Sequence, residues 1–80
     1  MRIEVLGSGC AKCQRLYAEA ERAVAEAGVA ADLVKVEDVP SIVARGVMLT
    51  PALAVDGRIV SSGRVPSASE IAGWLREAAA

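Results

Sequence analysis

The first 37 residues constrain the fold most. Arg2 to Leu6 alternates, with Ile3 and Val5 on one side and Arg2 and Glu4 on the other, which predicts a short strand. Gly7-Ser8-Gly9 breaks it. From Ala11 to Ala27 the apolar residues Cys13, Leu16, Tyr17, Ala20, Val24 and Ala27 recur at the spacing of one helix face. Gly28 follows, the residue type that most readily terminates a helix. Asp32 to Glu37, rich in Val and Leu, predicts a second strand. A strand, a long helix and a strand in so short a span form a βαβ unit, whose two strands run parallel.

The second half has a different rhythm. Asp38 or Val39 caps a short helix, with Pro40 near its first turn and Gly46 at its end. Ala52 to Val55 and Arg58 to Ser61 flank Asp56-Gly57, a two-residue loop that predicts a hairpin with a type I′ turn. Ser67-Ala68-Ser69-Glu70 is a capping box opening a last helix, with Ala68, Ile71, Leu75 and Ala78 as its inner stripe. The order is β-α-β-α-β-β-α. One four-stranded mixed sheet with helices on both faces, an α/β fold, satisfies the βαβ handedness and the hairpin together. Eighty residues make one domain, residues 1–80. Its core must be aliphatic, because the chain has 16 Ala, no Phe, one Trp and one Tyr.

Composition excludes several chemistries. Nine basic against ten acidic residues give no electrostatic grip on nucleic acid. Two aromatic residues offer no stacking platform for single strands. The absence of His removes imidazole acid–base catalysis, Ser-His-Asp and Cys-His nucleophiles, and His-based zinc sites. Two Cys are too few for a Cys₄ zinc site in one chain, or for a secreted disulfide scaffold. Glu4 stands where a signal peptide would continue its apolar core, and no apolar run approaches the ~18 residues of a membrane span. The expected setting is cytoplasmic, with no membrane partner. In that compartment a close Cys pair is more often catalytic or metal-binding than structural.

That pair is Cys10-Ala11-Lys12-Cys13, placed where a strand gives way to a helix. Free N–H groups and the positive end of the helix dipole favour an anion there, and a thiolate is an anion. Cysteine pKa values fall from about 8.5 to roughly 3.5–7.5 in such settings. Lys12 adds positive potential between the sulfurs. Cys10, at the mouth of the loop, is the expected attacking thiolate. Cys13, one turn into the helix on its apolar face, is the expected resolving thiol. The same two thiolates also suit Cu(I), and a dimer could pool four Cys for zinc or an iron–sulfur cluster.

A second site lies at Met48-Leu49-Thr50-Pro51, which leads into the third strand. A strand antiparallel to the first starts at the end of the sheet that carries the Cys10 loop, so Pro51 should face the sulfurs. Gly-Ser-Gly-Cys-Ala-Lys-Cys opening a helix, Thr-Pro-Ala-Leu-Ala-Val-Asp-Gly, and Ser-Ser-Gly-Arg-Val-Pro-Ser before a final helix together resemble the small thioredoxin-like "redox-active disulfide" family, glutaredoxin-sized proteins of the thioredoxin fold. The resemblance covers almost the whole chain. It implies a thioredoxin-like fold with sheet order 2-1-3-4, a dithiol active site, and a cis peptide before Pro51. It also implies that the backbone of Thr50 pairs with an extended substrate segment.

Departures from the larger relatives are visible. Thioredoxins carry Trp before the first Cys and Gly-Pro between the pair, where this chain has Gly9, Ala11 and Lys12. The buried acid of thioredoxins has no clear counterpart. Where glutaredoxins use Thr-Val-Pro, a Gly-Gly pair and an Asp to bind glutathione, this chain has Leu49-Thr50-Pro51, Gly63 and Ser67. Arg64 and the N-terminus of the last helix could hold a carboxylate, although an ordinary cap explains the same residues.

The first half also resembles copper chaperones and heavy-metal-associated domains. Those run β-α-β-β-α-β, whereas this chain places a helix before Thr50-Pro51 and ends on a helix.

The expectation is therefore a thiol–disulfide oxidoreductase, with Cys10 and Cys13 catalytic and Gly9, Ala11, Lys12, Thr50 and Pro51 supporting them. Met48, Leu49, Gly63 and Arg64 are expected to line the substrate site. No metal and no bound cofactor is expected. The expected partners are a disulfide-containing protein or small thiol, and an upstream reductase or low-molecular-weight thiol. The chain is expected to act as a monomer. The alternatives are a Cu(I)- or Zn-binding metallochaperone-like domain and a dithiol module that senses or binds without turnover. Trp74 is expected to anchor packing, and Tyr17 to pack in the core or edge the site. Met48 and Leu49 could equally be core. Glu19, Glu21, Arg22 and Glu26 are expected to form a solvated helix face.

Overall fold

The computed structural model describes Met1 to Ala80. Its elements are β1 (Arg2–Leu6), α1 (Ala11–Ala27), β2 (Asp32–Val36), α2 (Val39–Ala44), β3 (Ala52–Val55), β4 (Arg58–Ser62) and α3 (Ala68–Ala79). The strands form one sheet in the order β2-β1-β3-β4. β1 pairs parallel with β2, so that Val5 faces Lys35 and Leu6 faces Val36. β1 pairs antiparallel with β3, and β3 with β4. This is the thioredoxin-like α/β arrangement that the resemblance implied.

Local chemistry explains the boundaries. Gly28 ends α1 at φ 67° and donates its N–H to the Val24 carbonyl. The Asp38 side chain caps α2 by accepting from Ser41 N, and Gly46 turns the chain away at φ 77°. Asp56 and Gly57 both have positive φ, 49° and 86°, as a type I′ turn requires. Beyond that turn the register of β4 slips: Leu53 faces Ser61 but Ala54 faces Ile59, which leaves Val60 as an extra residue in a bulge.

The sheet separates two apolar layers. On one face Ile3, Val5, Leu53 and Val55 meet Leu16, Ala20 and Ala23 of α1 and Ile71, Ala72 and Leu75 of α3. Several of these side chains are wholly buried, each contributing about 1.5–3 kcal/mol relative to exposure. Trp74 packs half-buried at the edge of this layer, as an anchor should. The other face is thinner, with Leu6, Ala52 and Ala54 beneath Ile42 of α2 and Val47.

Several expectations need correction. The second strand stops at Val36, and β4 extends to Ser62. Ala78 is exposed, and Ala23 and Ala72 take inner positions. The charged face of α1 is not merely solvated, because it docks α3. Glu19 Oε2 accepts from Ala68 N at 2.9 Å, and Arg76 Nη2 donates to the Glu26 carbonyl at 3.3 Å. Glu4, on the polar side of the strand alternation, is buried, because α2 covers that face too. Arg45, just beyond α2, donates from both Nη atoms to the two Glu4 carboxylate oxygens at 2.8 Å each. Those hydrogen bonds hold the Glu4 carboxyl below its usual value of 4.5, against the opposing pull of burial.

Candidate functional site

The site forms where β1 hands over to α1. Gly7 N extends the parallel ladder by one hydrogen bond, to the Val36 carbonyl at 3.0 Å. Gly9 then turns the chain at φ 83°, a conformation that disfavours any side chain. Cys10 is the N-cap of α1, and its Sγ accepts from Cys13 N at 3.3 Å. The sulfur therefore sits on an N–H that the helix leaves unsatisfied, at the positive end of the dipole.

Cys10 and Cys13 are joined in a disulfide, with a Cα–Cα distance of 5.1 Å. Cys10 is exposed, and Cys13 is only 5% exposed. One sulfur is thus open to an incoming group while the other is covered. Ala11 and Lys12 occupy the exposed first turn between them. No third His, Cys, Asp or Glu joins the pair in a cluster of three.

The wall opposite comes from the start of β3. The Thr50-Pro51 peptide is cis, as the resemblance implied. Thr50 is exposed and Pro51 is buried. Gly7 sits between this wall and the Cys13 sulfur. A Cβ added to Gly7 would overlap Cys13 Sγ and lie 3.8 Å from Pro51 Cα. The topology thus brings Gly7, Cys13 and Pro51 to one point, although they come from three segments of the chain.

Met48 is 93% exposed and Leu49 64%, which removes the core alternative for both. Ser62 Oγ donates to the Leu49 carbonyl at 3.0 Å. The missing side chain of Gly63 makes room for Leu49, whose Cβ would be 3.2 Å from a Gly63 Cβ. Arg64 instead turns to Glu70, with contacts of 3.2 and 2.5 Å, and this pairing holds the Glu70 carboxyl below its usual range. At the start of α3, Ala68 N is taken by Glu19, and Glu70 N is taken by the Ser67 hydroxyl at 3.2 Å. The carboxylate site considered for Arg64 and this helix end is thus largely filled by the chain's own acids.

The sequence pattern did not single out Gly7, Lys35 or Glu37 for the site. A cavity of about 110 Å³ beside Cys13 is lined by all three, together with Gln14. Lys35 lies with its Nζ 4.7 Å from the centre of the Tyr17 ring, which leaves Tyr17 at the edge of the core. The signal was the parallel register: pairing Leu6 with the end of the second strand brings Glu37 beside the Cys10 loop.

Comparison with known proteins agrees with this geometry. A family model described as "Thioredoxin domain" matches residues 1–76. A thioredoxin of Methanothermobacter thermautotrophicus is 42% identical over 71 residues, covering 89% of this chain and 92% of the relative. A thioredoxin of Methanocaldococcus jannaschii is 45% identical over 74 residues, covering 92% of this chain and 85% of the relative.

Proposed function

The chain belongs to the thioredoxin domain family and is a small thiol–disulfide oxidoreductase, and from that premise we propose how its residues divide the work. Cys10 is the attacking thiol and Cys13 the resolving thiol. The observation that carries this assignment is their unequal exposure around a helix N-cap.

In the reduced protein the Cys10 thiolate attacks one sulfur of a substrate disulfide. The Cys10–substrate bond forms as the substrate S–S bond breaks, and the leaving thiolate takes a proton from water. Cys13, having lost its own proton to solvent, then attacks Cys10 Sγ. The Cys10–Cys13 bond closes and the second substrate thiolate departs to be protonated. Two electrons pass to the substrate, and the protein ends in the disulfide form. No bound cofactor is required.

Cys13 N and the helix dipole stabilise the Cys10 thiolate both as nucleophile and as leaving group. Lys12 adds positive charge nearby. Gly9 and Ala11 keep the approach to Cys10 clear of bulk. Thr50, exposed at the open start of β3, offers backbone groups to an extended substrate segment, and Pro51 closes the floor behind it. Met48 and Leu49 give this wall an apolar lip, and Gly63 seats Leu49. Arg64 is held by Glu70 in a surface ion pair, which a substrate carboxylate would have to displace for Arg64 to take part.

The partners are a disulfide-containing protein or a small disulfide, with an upstream reductase or small thiol to restore the dithiol. Residues 1–80 act as one monomeric domain in a reducing compartment such as the cytoplasm, where a dithiol with one exposed sulfur is maintained for exchange. No helix is long and apolar enough to cross a membrane.

The test is turnover. The protein should accelerate reduction of insulin by dithiothreitol, and Cys10→Ser should abolish the acceleration. A rate no higher than dithiothreitol alone, with an ordinary thiol titration for Cys10, would leave a dithiol module without turnover.

A further inference from the structure

The proposed substrate wall, Met48 to Pro51, is carried by a lightly anchored arm. α2 has six residues and buries one side chain, Ile42. After it, Val47 is buried, while Met48, Leu49 and Thr50 are exposed. The sheet beneath offers the small residues Ala52 and Ala54. Apolar burial therefore fixes this arm much less firmly than it fixes α1 and α3.

Into this thin layer the chain places a carboxylate. Glu4 stands on the central strand β1, with its side chain 6% exposed. Arg45, at the end of α2, grips it with two parallel bonds of 2.8 Å. Arg2 approaches the same carboxylate at 3.6 Å. Paired forks of this kind fix orientation as well as distance. Burying a carboxylate is costly even when paired, and an apolar residue at position 4 would extend the Leu6–Ala52–Ala54 layer without that cost. Stability alone thus gives little reason for the pair. Geometry gives a better one: Arg45 is the last side chain held to the sheet by polar bonds before the arm reaches the substrate wall. On the far side, the wall is tied by Ser62 Oγ to the Leu49 carbonyl.

We propose that Glu4 is a positioning residue, which through Arg45 sets the placement of the Met48–Pro51 wall relative to Cys10 and so governs binding of protein substrates, a role that rests on the wall proposed above. Glu4 touches neither sulfur. Its side chain points to the α2 face, away from the layer against which α1 and Cys13 pack. Its loss should therefore be felt in substrate binding and not in the intrinsic reactivity of Cys10.

The experiment is steady-state reduction of a protein disulfide, run beside reduction of a small aromatic disulfide that needs no wall. Glu4→Gln should raise KM for the protein substrate about three- to tenfold, leave kcat within about twofold, and leave the small-disulfide rate unchanged. Arg45→Ala should match it, the double variant should be no worse, and Arg45→Lys should fall between. Unchanged KM in Glu4→Gln overturns the proposal, as does a parallel fall in the small-disulfide rate. Leu49→Ser separates the two levels. If it raises KM while Glu4→Gln does not, the wall stands and the clamp falls. If it leaves KM unchanged, the wall falls and the clamp falls with it. Should Glu4→Gln fail to fold, Arg45→Lys decides by the same KM criterion.

Discussion

Gly7→Ala should make the protein a stronger oxidant. A Cβ at this position would overlap Cys13 Sγ, with Cys13 Cβ at 3.4 Å and Pro51 Cα at 3.8 Å. Gly7 is not among the glycines with positive φ, so alanine brings no backbone strain and the effect comes from contact alone. In the disulfide form Cys13 Sγ is bonded to Cys10 and cannot turn aside. In the dithiol form that bond is gone and Sγ can take another staggered rotamer, which would leave only the contact with Cys13 Cβ. Overpacking of one methyl group costs about 1–3 kcal/mol, and most of that cost falls on the oxidised state. At about 30 mV per 1.4 kcal/mol, the reduction potential should rise by roughly 20–60 mV. Equilibration against a glutathione buffer, with thiols counted after quenching, measures the shift. Urea unfolding of each form should show the oxidised protein losing stability and the reduced protein nearly unchanged. An unmoved potential, or equal destabilisation of both forms, would refute the reasoning.

Further outcomes follow from the same contacts. Glu4 has a native pKa below its usual 4.5, so its bond to Arg45 contributes fully above that value and is lost as pH falls through the lowered native value. Unfolding measured from pH 6 down to pH 2 should therefore lose stability below about 4.5, and Glu4→Gln should flatten that limb; an identical acid profile would contradict it. Leu16→Ala, at a wholly buried position, should cost about 2–5 kcal/mol in denaturant unfolding, and a loss below about 1 kcal/mol would show that the layer around it refills. Glu19→Ala removes the acceptor for Ala68 N and should cost about 1 kcal/mol, read from the same curves; no loss would mean that water replaces it.

Much of the fold was legible because local signals agreed with each other. Gly28, Asp56-Gly57 and the Ser67 capping box each fixed one boundary by its own stereochemistry. Helical spacing from Cys13 to Ala27 fixed which side of α1 faces the sheet. What escaped depended on partners distant in sequence. Alternation put Glu4 on a polar side, and only the arrival of α2 turned that side into an interior that Arg45 must neutralise. Glu19 looked solvated until α3 folded back to use it as a cap. Val60 became a bulge because β4 must suit both the tight turn at Asp56 and its ladder with β3. Within the site, Cys10, Cys13 and Pro51 were readable from spacing and family resemblance. Gly7 was not, because its requirement comes from a sulfur on the next helix. Glu70 is both part of the Ser67 cap and the partner of Arg64, and only the cap is visible in the local sequence.

The division of labour between the two sulfurs is tested most directly by trapping. Cys13→Ser and Cys10→Ser are each reduced, incubated with a disulfide-containing protein, quenched with acid and an alkylating agent, and separated without reductant. Cys13→Ser should accumulate a mixed disulfide through Cys10, because nothing remains to resolve it. Cys10→Ser should trap none, its one remaining cysteine being only 5% exposed. Mixed disulfides appearing only with Cys10→Ser would reverse the roles and contradict the account built on the exposed N-cap sulfur.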